Sequence, residues 1–289
     1  MFNSKYPIIA APMNQVSYWE FAVSVHDAGA FPSISGYCYY NNIDSLIHAF
    51  EQYVSTTNSS NVIAALDDTQ IINTKVVDML TRLNISHVIR YRNEDSSTSR
   101  INNYEKLALS ILNTLPCTTI NIHDVDNSNA KIHFLKGNDG AGRPGTEPTK
   151  VLFDRARVMY PQHKFVPVGG IGTAEHVKYY IENGAVAVAV GTLLAASQES
   201  CLSLGTKQAM ISATSKDLMH LDKNFMQKAL PFKKYLEDDD SNHTQSLKNG
   251  ITTNGTSGHI FSGNGIDYID GIKSVKEIVT NLSSQIKML

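Results

Sequence analysis

Cysteine is scarce in this chain. Its 289 residues hold three, Cys38, Cys117 and Cys201, odd in number and far apart. Such spacing excludes a disulfide framework and a structural zinc pattern, and it points to a reducing compartment, the cytoplasm. Long apolar runs are missing too. None reaches the roughly 18 residues that a membrane span needs. The short run near the N-terminus has no small-residue cleavage site after it, so no secretory leader is expected. In that setting the sequons at Asn58 and Asn254 are composition rather than glycosylation sites. Neither sign of charge dominates: 25 basic residues stand against 27 acidic ones, a formal net charge of −2. That balance leaves no field for nucleic acid or an anionic membrane, and the expected partner is a small-molecule substrate. What is present is a globular composition, 42% hydrophobic and 18% charged. The length fits one barrel of roughly 250 residues with a tail.

Short apolar runs alternate with longer segments of helical period. The runs at 6–13, 30–35, 62–66, 87–91, 118–123, 131–136, 165–169 and 185–190 are mostly continuous, as strands buried on both faces are. Helices are expected at 17–28, 43–54, 73–83, 103–115, 147–159 and 173–183. The first is followed by Gly29; the last has Thr173 as its N-cap and Gly184 as its stop. Eight such units in about 200 residues predict an α/β fold, a (β/α)8 barrel. One unit is defective. Only seven residues, 124–130, separate the fifth and sixth strands, too few for a crossover helix. Either that helix is lost or one strand is misplaced. After the eighth strand, 199–213 reads as helix, 216–265 as a polar lid or loop region with some helix, and 274–289 as an amphipathic closing helix. The expectation is one domain over 1–289 with a lid or insert at 199–265.

Several of the 18 glycines cluster at the C-terminal ends of strands, which in a barrel share one mouth, the active-site face. "VPVGGIG" (166–172) and "AVGTLL" (189–194) end the seventh and eighth strands. Backbone N–H groups freed by glycine, next to a helix N-terminus, make an anion grip at this place in the fold. The alternative is two turns that need glycine only for their own geometry. "KGNDGAGRPG" (136–145) lacks the Gly-Lys-Ser/Thr ending of a phosphate loop, and its Lys136, Asp139 and Arg143 suit a polar wall of the mouth. "AAPMNQVS" (10–17) turns from strand to helix through Pro12 and Met13. "SGNGIDYIDGIKSVKEIV" (262–279) is a glycine-rich turn before the last helix.

With these segments in this order the chain resembles the nitronate monooxygenase (2-nitropropane dioxygenase) family, which includes FMN-dependent enoyl-acyl-carrier-protein reductases. The resemblance rests on "PIIAAPM" with "FAVSVHDAGAFPSISG", on "KGNDGAGRPG", on "TKQAMISAT", on the tail "GNGIDYIDGIKSVKEIV", and most specifically on the block 166–200. It implies a TIM barrel with FMN in its mouth. By position it implies Ala11, Pro12 and Met13 along the flavin ring. Gly169, Gly170, Ala189, Val190, Gly191 and Thr192 would hold the phosphate, with Lys136 and Ala141 on the loop that touches the flavin. Ala65 stands where the family carries a cofactor-facing Asn after the third strand.

Three departures bear on chemistry. Arg143 replaces the family's catalytic His, Lys136 its usual Gln, and Ala65 its Asn. Arginine stays protonated and cannot serve as a general base. Lys136 and Arg143 instead add positive charge beside the flavin. A preformed nitronate is already an anion and needs no base, so its oxidation by O2 is the leading expectation. An NAD(P)H-dependent enoyl-thioester reductase, which needs another proton donor, is the alternative. A barrel that keeps its flavin or phosphate ligand but has lost catalysis is a third reading, and a phosphate-binding barrel without flavin a fourth. His123, at the end of the fifth strand, is a candidate catalytic residue alongside Arg143. His259, Tyr37, Tyr39 and Tyr40 are weaker candidates for the mouth. No metal is expected. The reading leaves a homodimer open.

Overall fold

The computed structural model describes residues 2–40, 42–91, 118–119, 132–220, 228–232 and 243–286. Eight parallel strands are present: β1 (Ile8–Ala10), β2 (Ser33–Ser35), β3 (Ile63–Asp67), β4 (His87–Tyr91), β5 (Thr118–Thr119), β6 (Ile132–Lys136), β7 (Lys164–Val168) and β8 (Val188–Val190). One sheet runs β1-β8-β7-β6-β5 and a second β2-β3-β4. A parallel bridge between Ile9 and Phe31 joins them, and β4 touches β5. The strand order is therefore that of an eight-unit ring, an α/β barrel.

Prolines set the strand ends. Pro7 and Pro12 bracket β1, and Pro32 separates the Phe31 bridge from β2; each lacks the N–H that a ladder requires. The expected strands 6–13 and 30–35 are shortened for this reason. Between strands lie α1 (Trp19–Asp27), α2 (Ile43–Thr57), α3 (Asp68–Ile71), α4 (Thr74–Arg82), α5 (Thr149–Met159) and α6 (Ala174–Glu182). Their starts are chemically marked. Asn42 accepts from Ser45 N–H, Asn73 from Lys75 N–H and Thr173 from His176 N–H, caps worth about 1 kcal/mol each. α2 runs past the expected end until Asn58 takes a left-handed φ of 50°.

Strand alternation divides the core. Ile9, Phe31, Ile63, Ala65, Ile89, Ile132, Phe134, Val166, Ala187 and Ala189 fill the barrel interior. Ala64 and Leu66 of β3 face outward onto Leu46, Phe50 and Tyr53 of α2 and onto Val76 and Leu80 of α4. Phe2 plugs the barrel bottom, edge-on to Phe31 at 5.0 Å. β1, β2, β3 and β8 are thus buried on both sides, and such double burial is why strands of this kind read as continuous apolar runs.

The segment after β8 holds more order than its sequence suggests. α7 (Thr192–Ala195) and α8 (Leu204–Ser212) precede an antiparallel sheet of β9 (Met219–His220), β10 (Lys228–Pro231) and β11 (His259–Phe261), with α9 (His243–Thr252) between the last two strands. Leu230, Phe232, Leu247, Ile251 and Ile260 join the same apolar cluster as Leu193 and Ile266. These strands are two to four residues long and carry no apolar run, so the expectation of a mostly loop region missed them. α10 (Val275–Ser283), opened by a Ser274–Glu277 capping box, packs its apolar face inward. The expected helix 103–115, the shortened crossover 124–130 and Cys117 lie outside the described residues. Among the described residues no helix is long and apolar enough to cross a membrane.

Candidate active site

Inward-facing residues near the C-terminal ends of six strands, β1, β2, β3, β6, β7 and β8, line the mouth. Ser35 and Ala65 are register partners, as are Lys136 and Val168. Ala65 belongs to the interior cluster, and Ala11 and Val168 pack against it. Gly191 follows β8, where Ala11 N–H donates to Val190 O at 2.9 Å. From these six strands the residues are Ala11, Ser35, Ala65, Lys136, Val168 and Gly191. Apart from Lys136 these are small or short side chains.

The glycines of the mouth separate into two kinds. Gly169 and Gly170 have φ of 115° and 67°. A Cβ on Gly169 would stand 2.6 Å from Gly140 N, and one on Gly170 would stand 2.9 Å from Asp139 Cβ. They are required by the chain's own fold, because the turn at 169–172 presses against the loop at 137–145. Gly191 differs. Its φ is −115°, open to any residue. A Cβ there would meet only Ala11 Cβ and Met13 Sδ, both at an ordinary 3.6 Å. Neither backbone strain nor crowding explains its missing side chain. Thr192 and Leu193 open α7 next to it, and N–H groups in a first helical turn have no intrahelical acceptor.

A polar clamp holds the loops. Asp139 Oδ2 accepts from Thr149 N–H at 2.8 Å, capping α5 from outside, since the N-cap residue Pro148 has no capping side chain. Its Oδ1 accepts from the Asn264 amide at 3.1 Å, and its carbonyl from Asn264 N–H at 2.8 Å. Lys228 and Gly142 exchange both backbone hydrogen bonds, and Lys228 Nζ donates to Asn138 O and Asn264 Oδ1. Gly263 N–H donates to Thr192 Oγ1 at 3.0 Å, and its Cα lies against the Asp139–Ala141 backbone, where a Cβ would overlap it. Asn264, Lys228 and Gly263 carry no local sign of this role; only the tail's glycine-rich turn hinted at it.

Lys136 runs beneath this loop. A Cβ on Gly140 would stand 2.9 Å from its Cε, and one on Gly142 3.8 Å from its Nζ. No hydrogen-bond acceptor for Nζ is found among the described residues. Burial of the ammonium, and secondarily the Arg143 guanidinium, lower its pKa to about 8. The expected pair of cations is therefore present on the β6 side, with Arg143 half-buried.

Other sequence candidates fall elsewhere. Ala189 faces inward one step below Gly191, whereas Val190 faces the outer apolar cluster and offers the mouth only backbone. Ala141 lies against Gly263, and Pro12 is half-buried beside Met13. Asp139, expected to line the mouth, is turned to α5 and Asn264. The Tyr39 hydroxyl accepts from Trp19 N–H, Tyr40 is exposed, and His259 sits in β11 opposite Pro231. His123 lies outside the described residues. Cys38 and Cys201 are free thiols; burial pushes Cys38 up to about 12, which makes it a poor nucleophile. Among the described residues no group of three or more metal-ligating side chains exists.

The mouth thus brings together Gly191, the start of α7 and the cations Lys136 and Arg143. The nitronate monooxygenase family model matches residues 1–285, and the chain belongs to that family, a family of flavin-dependent oxidoreductases. No curated protein sequence matches the chain. Among solved structures it is similar to FabK from Thermotoga maritima, with a TM-score of 0.78 at 19% identity over 97% of this chain and 92% of that one. It is also similar to a nitroalkane oxidase from Streptomyces ansochromogenes, with a TM-score of 0.73 at 15% identity over 97% and 96%. A third is the enoyl reductase domain of MlnA from Bacillus amyloliquefaciens, with a TM-score of 0.68 at 10% identity over 98% and 94%. At these identities the likenesses establish the shared barrel.

Proposed function

We propose that the chain is an FMN-dependent oxidoreductase that oxidises small nitronate-like anions with O2. The residues fit the cofactor: Gly191, Thr192 and the start of α7 would hold the phosphate, and Ala11, Pro12 and Met13 would back the ring. When bound, FMN supplies the electron transfer that side chains cannot.

The observation that carries the reading is the Lys136 ammonium, half-buried beneath the loop at 137–145, beside Arg143, and with its pKa lowered by desolvation. Two partly desolvated cations side by side repel one another, and an anion between them relieves that cost while fixing the substrate's position. A guanidinium is suited to orienting an anion rather than to taking a proton. A nitronate arrives already deprotonated, so the missing histidine does not block its oxidation. Neutral nitroalkanes, which need a C–H proton removed, are expected to react far more slowly.

One observation favours a second reading. An ammonium whose pKa is about 8 is a competent proton donor near neutrality, and reduction of an enoyl thioester needs a proton after hydride transfer. Stopped-flow reduction of the flavin decides between the two. Rapid reduction by a nitronate, with little by NAD(P)H, supports the monooxygenase. The reverse supports the reductase, and reduction by neither leaves a ligand-binding barrel. Arg143→Ala should raise the KM for nitronate at least tenfold with flavin retained; an unchanged KM removes Arg143 from the site. Purified protein that is colourless and takes up no added FMN overturns both flavin readings.

A further inference from the structure

Of the six residues Ala11, Ser35, Ala65, Lys136, Val168 and Gly191, Ser35 is the one polar side chain besides Lys136. Ser35, the last residue of β2, is fully buried, and its Oγ has no hydrogen-bond partner. Its direction is fixed by register. Its partner in β3 is Ala65, an interior residue, while Ile34 beside it belongs to the outer cluster. Ser33, two residues earlier on the same face, satisfies its hydroxyl on Ala10 O at 2.8 Å. Ser35, one layer higher, has no such carbonyl to use.

The backbone around Ser35 is anchored on both sides. Ser35 N–H donates to Ser17 O at 3.0 Å. Gly36 O accepts from the Gln70 amide at 3.0 Å, and Gln70 Oε1 accepts from Asp67 N–H at 3.2 Å. A Cβ on Gly36 would overlap that Gln70 amide. Gln70 is buried and ties the end of β2 to the end of β3, so the hydroxyl cannot swing out to water. Buried hydroxyls are almost always paired, and an unpaired one held rigidly at the floor of the mouth is aimed at something that binds there. β2 and β6 lie four strands apart in the ring, so Ser35 faces the mouth from the side opposite Lys136.

We propose that Ser35 is a ligand contact of the active site, donating a hydrogen bond to an acceptor oxygen of the molecule held across the mouth. That oxygen is a ring carbonyl of the flavin or a nitro-type oxygen of the substrate. The inference rests on the proposed function and adds to it a residue that the β2 side contributes to recognition.

Ser35→Ala tests it with two readouts of opposite sign. In ligand-free protein the variant should melt at the same temperature as wild type or higher, because an unpaired buried hydroxyl has been removed. In the loaded protein one of two constants should worsen by about fivefold to tenfold, the size of one neutral hydrogen bond. A raised Kd for FMN with a shifted flavin absorbance band assigns the contact to the flavin. Unchanged flavin binding with a raised KM for nitronate and near-normal kcat assigns it to the substrate. Ser35→Thr, which keeps the hydroxyl, should recover part of the loss. A lower melting temperature of the ligand-free Ala variant, or no change in either constant, overturns the proposal. Wild-type protein that binds no FMN overturns the proposed function and this inference with it.

Discussion

Asn264 and Asp139 are joined twice across 125 residues of chain, side chain to side chain at 3.1 Å and backbone to backbone at 2.8 Å. The same carboxylate caps α5 through Thr149 N–H. One side chain therefore ties three pieces together: the glycine loop after β6, the start of α5 and the turn before α10. The mouth keeps its shape because the tail returns to hold it.

Asp139→Ala removes acceptors from a helix start and from a partly buried amide. It should destabilise the protein by about 2 kcal/mol, measured by urea unfolding, and flavin content should fall with it. Wild-type stability in this variant would mean that the clamp is redundant with the Lys228–Gly142 backbone pair.

Glycine substitutions should split by position. Gly191→Val meets no backbone strain, so the protein should fold normally and lose its flavin. Gly169→Ala must hold a left-handed φ of 115° and push against Gly140 N at 2.6 Å. It should lower stability by about 1–3 kcal/mol whether or not flavin is present. Melting temperature and flavin absorbance of the two purified variants check both halves, and normal flavin content in Gly191→Val refutes the phosphate assignment.

Lys136 carries a pH dependence whose sign follows from burial. Its folded-state pKa, about 8, lies below its ordinary 10.5. Between those values the unfolded chain binds more protons than the folded one, so the contribution of Lys136 to stability rises with pH across that window. Ligand-free Lys136→Met should therefore be more stable than wild type at pH 7.5, with the gap closing toward pH 10 by up to about 1.4 kcal/mol per unit. Anion binding should weaken in wild type as pH passes 8 and be weak at every pH in the variant. Parallel stability curves for the two proteins would show that the ammonium is not desolvated.

Strands such as β1, β2, β3 and β8 were legible because they are buried on both faces, and double burial writes itself into the chain as an apolar run. Their ends were less so: Pro7, Pro12 and Pro32 cut runs that hydrophobicity alone would extend. β9, β10 and β11 left no pattern, since strands of two to four residues cannot show a period. In the site, Lys136, Gly191 and the Ala11–Met13 turn could be placed from their positions after strands. Ser35 was hidden in plain alternation, as the second serine of Ser-Ile-Ser, where only the absence of an available carbonyl sets it apart from Ser33.

By itself the sequence determined the alternation of strand and helix, the family, and the gathering of glycines at strand ends. Those features are local, because any segment must bury the same face whatever it packs against. Tertiary structure alone decided what each glycine is for. Gly169 and Gly170 make way for the chain, and Gly191 leaves a space that the chain does not fill. It also decided that Asp139 serves the fold and that Ser35 faces the ligand. Those assignments depend on which loops meet across more than a hundred residues, and contacts at that separation impose no period on the sequence that makes them.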